Sequence, residues 1–419
     1  MRLFYNLLVY LAAPVALLMH LWRGLRDPSY RERLGERFGF GPQLAGPTIW
    51  IHAVSVGEVQ AAEPLVRQLL ARHARYTVVL TTVTPTGAAR AQQLLGERVQ
   101  LRYVPFDLPG SVKRFFDRVQ PRLAMILETE LWPNLYAECG RRRVPLVLAS
   151  ARMSSRSVGR YRRLVPLFRR ALSYGIVIGA QSETDAERFR SIGAAGARTY
   201  VTGNIKFDFQ PPPEVESRGR RWREQKAPGR PIWVAGSTHD GEEAMILDAH
   251  RRVLYRFPDA LLLLVPRHPQ RFDAVRDLLV KRGESFANRS SGTAISPVTA
   301  VMFGDTMGEL MMFYAAADVA FVAGSLVPIG GHNLLEPASI GRPVLTGPHN
   351  FHSEEIAQLL LDAGAARIVT DTGQLANEVT GLLGDARLRE SMGAAGKAVL
   401  DANRGALDRL LTLVDPLLE

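Results

Sequence analysis

The chain has 419 residues, enough for two domains with filled cores and an appendage. Its one cysteine, Cys139, excludes an intramolecular disulfide framework and a cysteine-rich metal site, and fits a reducing compartment. The formal charge of +11 calls for an anionic partner: nucleic acid, anionic lipid or a phosphorylated substrate.

The first element is apolar. Residues 3–22, LFYNLLVYLAAPVALLMHLW, hold roughly twenty mostly apolar positions, about the length that crosses a bilayer core. Asn6 and His20 sit toward its ends, and Trp22 and the tyrosines suit an interfacial belt. Residues 1–22 are therefore expected to be a membrane-anchor helix, either spanning or lying in the interface. Arg23, Arg26, Arg31, Arg33 and Arg37 follow, in a basic juxtamembrane segment, 23–45. Signal peptides carry their positive charge before the apolar run, so the order favours a retained anchor with the rest of the chain on the cytoplasmic side of an inner membrane.

Beyond it the chain alternates strand-like and helix-like segments in two passes. The first runs TIWIHAV, YTVVLTTV, VQLRYVP, LAMILETE, VPLVLAS, GIVIGAQS and TYVTGN. The second runs PIWVAGS, ALLLLVPR, AVMFGDT, DVAFVAGS, RPVLTGP and ARIVTD. Short apolar runs separated by helices read as parallel strands buried on both faces. This predicts an α/β protein of two doubly wound domains, 46–210 and 230–419, facing a cleft, with the Pro-rich, charged stretch 211–229 as linker.

Ligands of such sheets sit outside the carboxyl ends of the strands. Those ends read AVSVGE, ETE and GNIK in the first half, and GSTHDGEE, VPRHPQR, GDTMGE and GSLVPIGGHNLLEP in the second. In the last, Gly330 and Gly331 let the backbone turn sharply and approach a ligand. A helix starting near His332 would aim N–H groups at a phosphate. Asn333 and Glu336, three apart, share a helix face, where the carboxylate can accept from ribose hydroxyls. The same pair can equally be an N-cap and a first-turn glutamate favoured by the helix dipole.

The collinear stretches AVSVGEVQAAEPL, ETELWPNL, GNIKFD, GSTHDGEE and GSLVPIGGHNLLEPASIGRPV resemble the 3-deoxy-D-manno-octulosonic acid (Kdo) transferases. The resemblance covers essentially the whole chain. It implies a GT-B fold of two Rossmann-like domains, the acceptor on the first and the sugar nucleotide on the second. It also implies transfer of Kdo from CMP-Kdo to an anionic lipid A precursor at the membrane surface, in lipopolysaccharide assembly.

Carried over by residue, the resemblance makes Glu58 the base that takes the attacking hydroxyl's proton in an inverting displacement. Glu128 and Lys206 match positions that stabilise the transition state. CMP binding falls to Pro266 and Arg267, to Met307, Gly308 and Glu309, and to Asn333, Leu334, Leu335 and Glu336. Arg267 offers a fork for phosphate or carboxylate. His268 and His332 are plausible ligands, yet single loop histidines of this kind are more often structural, so neither is counted in the site.

No cofactor or metal is expected. CMP leaves with one phosphate, which cationic side chains can balance, and the nearest acidic candidates, Asp305 and Glu309, fall short of a metal triplet. Arg156, Arg160, Arg162, Arg163, Arg169 and Arg170 interleave with apolar residues and suit anionic headgroups or a bis-phosphorylated lipid. Nucleic acid is disfavoured, because no stacking platform accompanies them. Two rivals remain: another GT-B enzyme using a UDP-sugar, separable by cytidine against uridine preference, and a non-enzymatic membrane protein, separable by turnover.

Overall fold

The computed structural model describes residues 2–154, 158–159, 172 and 175–419. The arginine cluster expected to dock lipid lies outside the described residues.

The chain forms two compact units, Met1–Asp208 with Arg404–Glu419, and Phe209–Asn403. The first unit contains seven parallel strands: β1 (Thr48–His52), β2 (Thr77–Thr82), β3 (Gln100–Tyr103), β4 (Pro121–Leu127), β5 (Leu146–Ala151), β6 (Val177–Ala180) and β7 (Thr199–Val201). Their order is β3-β2-β1-β4-β5-β6-β7. The second unit repeats the plan with β8 (Ile232–Thr238), β9 (Leu261–Pro266), β10 (Phe286–Asn288), β11 (Val301–Phe303), β12 (Val319–Val322), β13 (Val344–Thr346) and β14 (Ala366–Ile368). Here the order is β10-β11-β9-β8-β12-β13-β14, again all parallel.

Each central strand is buried on both faces, Ile49–Trp50–Ile51 in β1 and Trp233–Val234–Ala235 in β8. Each unit therefore has the two-sided core that uninterrupted apolar runs demand. In each sheet the order reverses between two central neighbours: β1 and β4 in the first unit, β8 and β12 in the second. Outside the carboxyl ends of such a pair, the following loops diverge to opposite faces and leave a crevice.

Three departures from the expected organisation have physical causes. The linker 211–229 holds a helix, Val215–Lys226, whose Val215, Gly219 and Trp222 repeat at helical spacing and are buried. A side chain at Gly219 would meet Ala315 at 2.5 Å, and Arg223 forks onto Asp318 at 2.8 and 2.9 Å. The charged composition hid an amphipathic stripe. Second, residues 404–419 belong to the first unit, not to a 230–419 domain. Leu410, Leu411, Val414 and Leu418 join Ile49, Val59 and Leu65 in one core. The Asp208 carboxylate accepts from the N–H groups of Gly405 and Leu407 at 2.6 Å each. Third, β10 was not expected, because three residues at a sheet edge leave too short a pattern.

The N-terminal helix spans Arg2–Arg26, and one helix in the described chain is long and apolar enough to cross a membrane. Tyr5 donates to the Asp107 carboxylate at 2.8 Å, and the His20 ring meets Phe106 edge-on with centroids 5.7 Å apart. At 1.5 Å per residue these side chains start about 22 Å apart on the helix, yet both reach the same dipeptide. The helix therefore runs along the first unit. Its outer side exposes Leu3, Phe4, Leu7, Leu11, Leu18 and Trp22. Arg37 of the basic segment is buried over Tyr103 and donates to the Val83 carbonyl, so it faces protein rather than headgroups.

Candidate active site

In the first unit, the loop after β1 enters the helix Val56–Arg72 through Ser55, whose hydroxyl accepts from the Glu58 N–H at 3.4 Å. Glu58 reciprocates, accepting from the Val54 N–H at 2.8 Å and the Ser55 hydroxyl at 3.2 Å. This variant of a capping box locks the carboxylate beside the crevice.

Across the reversal, β4 ends at Leu127, and Glu128 takes a left-handed backbone, φ 55°. Such a conformation in a glutamate costs on the order of 1–3 kcal/mol and is kept where surrounding structure enforces it. Its carboxylate pairs with the Lys206 ammonium at 2.7 Å. Lys206 is set by the turn after β7: its N–H donates to the Asn204 side chain, and the neighbouring Ile205 N–H donates to Ser150 Oγ, each at 3.0 Å. Ser150 is itself left-handed, at an irregularity in β5.

The three expected catalytic residues thus form one cluster. Burial first, and then repulsion from Glu128, push the Glu58 carboxyl up to about 7 against the opposing hydrogen bonds and Lys206. Glu130, not among the expected residues, adds a third carboxylate. Burial and Glu128 raise it, while the Trp132 indole donates to it at 2.6 Å. Its only signal in the sequence was the second acid of ETE.

In the second unit, Pro266 is the buried last residue of β9, and Arg267 follows half-exposed. Among the described residues Arg267 makes no ion pair. Met307 and Gly308 are exposed after β11, and Glu309 is held by a two-pronged pair with Arg289 at 2.6 and 3.0 Å.

Past β12, the reading of a helix starting near His332 needs correcting. The helix is Leu335–Ser339, only five residues, too short to make an anion site of its N-terminus. Asn333 Oδ1 accepts from the Leu335 N–H at 3.1 Å, the capping role, and its amide reaches Glu336 Oε1 at 3.4 Å. The side chains of Leu334 and Leu335 are wholly buried, leaving only their backbone for a ligand. Gly330 and Gly331 both have positive φ, and a side chain on either would strike residues 350–352. The close approach that needs glycine here is to the protein's own Asn350, Phe351 and His352 side chains.

Two residues outside the expected set organise this end of the sheet. Glu242, fully buried, accepts from the N–H groups of His239, Gly324, Ser325 and Leu326 at 2.7–3.0 Å. It joins the turn after β8 to the loop after β12. His239 then meets His332, Nε2 to Nε2, at 2.8 Å. Neither partnership is visible in a linear reading, since 82 and 93 residues separate Glu242 from Gly324 and His239 from His332.

Two doubly wound units with polar groups gathered at their reversals define a protein of GT-B fold. Residues 32–209 match the family described as "3-Deoxy-D-manno-octulosonic-acid transferase (kdotransferase)". The chain is 42% identical to the 3-deoxy-D-manno-octulosonic acid transferase of Haemophilus influenzae, over 100% of this chain and 99% of that one. It is 38% identical to the protein of the same name from Bordetella pertussis, over 91% and 90%. By fold alone, it is similar to the UDP-GlcNAc 2-epimerase of Neisseria meningitidis, with TM-score 0.57 and 13% identity over 87% of this chain and 100% of that one. The chain belongs to the Kdo transferase family.

Proposed function

We propose that the protein transfers Kdo from CMP-Kdo to a lipid A precursor with inversion, Glu58 acting as the general base. The observation that carries this is the Glu58 carboxyl, held by Val54 and Ser55, raised to about 7 and set beside the Glu128–Lys206 pair. A carboxylate with that value is ionised often enough to accept a proton near neutrality and basic enough to pull it from an attacking hydroxyl. In one displacement, the acceptor oxygen bonds the anomeric carbon, its proton passes to Glu58, and the bond from that carbon to the phosphate oxygen of CMP breaks. Lys206 supplies positive charge against the anion that grows on the departing phosphate, and Glu128 orients it.

This reading assigns the acceptor and the base to the first unit, and the sugar nucleotide to Arg267, the Met307–Glu309 turn and the Asn333–Glu336 turn of the second. The side-lying N-terminal helix supports an interfacial anchor on the cytoplasmic face, next to a lipid acceptor. The experiment is to incubate the purified full-length chain with CMP-Kdo and a lipid A precursor and measure the lipid's mass. A gain of whole Kdo units is expected. An unchanged lipid, with turnover of a UDP-sugar instead, would replace this reading by its rival.

A further inference from the structure

The reversal in the second sheet gathers three imidazoles from three strand ends. His239 follows β8, His268 follows β9, and His332 lies in the loop after β12. The His239 and His332 rings are nearly coplanar, 9° apart, with their Nε2 atoms 2.8 Å from each other, so one ring donates to the other. His268 meets His239 edge-on, centroids 5.3 Å apart. Gly324 leaves room for both rings of the pair: a side chain there would lie 2.8 Å from His332 and 3.4 Å from His239.

The surroundings are short of negative charge. Arg267 precedes His268 in the chain, and its backbone N–H donates to the carbonyl of Thr238, the residue before His239, at 3.0 Å. Nearby carboxylates are already committed, Asp240 and Glu243 to Arg271 at 2.8 and 2.9 Å, and Glu242 to four backbone N–H groups. Burial, then Arg267 and the neighbouring rings, hold His332 down to about 3; burial, His268 and the arginines hold His239 to about 4. The rings are therefore neutral N–H donors, and Arg267 beside them is a guanidinium with no ion pair among the described residues. A cation site would need the lone pairs to converge on one point, whereas these two nitrogens face each other.

We propose that His239, His268 and His332, together with Arg267, form the seat for the phosphate of the nucleotide. The arriving phosphate, a monoanionic diester in the sugar nucleotide and a dianionic monoester once CMP is released, breaks the pairing between the two Nε2 atoms and takes imidazole N–H donors and the guanidinium fork in their place. Glu242 is the positioning residue, fixing the 324–326 backbone against which both rings pack. The proposal rests on the reading of this unit as the nucleotide domain, and it adds the group that recognises the phosphate, a role that the Leu335 helix start is too short to fill.

The test is calorimetric titration of the full-length protein with CMP and with cytidine, comparing wild type with His239→Asn, His332→Asn and the milder His268→Ala, each checked by circular dichroism. The expected result is that the variants lose about tenfold of the CMP-over-cytidine affinity ratio, while cytidine affinity stays within about twofold of wild type. An unchanged ratio in folded variants overturns the proposal. If CMP affinity holds and only the extra affinity for CMP-Kdo is lost, the seat takes the sugar carboxylate and the phosphate assignment is overturned. Wild type that prefers UMP to CMP refutes the cytidine reading alone, and the UMP-over-uridine ratio then tests the seat in the same way.

Discussion

The two sheet reversals share a topology and differ in charge. Between β1 and β4 stand three carboxylates, Glu58, Glu128 and Glu130, with Lys206 as their cation. At the β8–β12 reversal stand His239 and His332, with Arg267 and His268 from the adjoining end of β9, and the nearby carboxylates are occupied. Topology decides where a ligand can sit, and the side chains at the strand ends decide what it can be. Burial beside a second carboxylate raises Glu58 and makes a base; burial beside Arg267 keeps the imidazoles neutral, as N–H donors for an anion.

Substitutions that strike one reversal should leave the other's function intact, and this is how the comparison can be broken. The largest effect is expected for Glu58→Gln, which keeps shape but removes proton acceptance: kcat should fall about 10²–10⁴-fold, with CMP binding unchanged by calorimetry. Next comes Lys206→Ala, with kcat down on the order of 10²-fold and, again, nucleotide affinity preserved. Asn333→Ala works on the other side. It removes the cap on Leu335 and the contact to Glu336, so the donor KM should rise about tenfold, with acceptor KM moving far less. The smallest effect is structural: Asp208→Ala removes the acceptor for Gly405 and Leu407, costing about 1 kcal/mol, read as a lower thermal midpoint with donor and acceptor KM unchanged. A kcat collapse in Asn333→Ala, or a donor-affinity collapse in Glu58→Gln, would erase the division between the reversals.

Much of the fold was legible because a strand buried on both faces must be apolar throughout, as IWI in β1 and LLLLV in β9 are. What escaped was governed by distant partners. Trp222 needed the helix beside it to read as core, and the C-terminal helix needed Asp208 to bring it home. In the site, Glu58 stood out as the acid closing SVGE, but its carboxyl is raised by burial and then by Glu128, seventy positions away in the chain. Single loop histidines are weak signals one at a time; His239, His268 and His332 gain meaning only when three strand ends meet.

The central claim is that a carboxylate raised by burial and by its neighbour Glu128 performs the proton transfer. Its most direct test is the pH dependence of kcat/KM for Kdo transfer, in wild type and in Glu128→Gln. Wild type should lose activity as pH falls through about 7, because protonated Glu58 cannot accept. Removing the Glu128 charge should lower the Glu58 value and carry that acid limb to lower pH, a movement that ionisation of the lipid acceptor cannot produce. A profile flat from the mildly acidic to the mildly basic range, or a limb that stays in place when Glu128 is neutralised, would contradict the account.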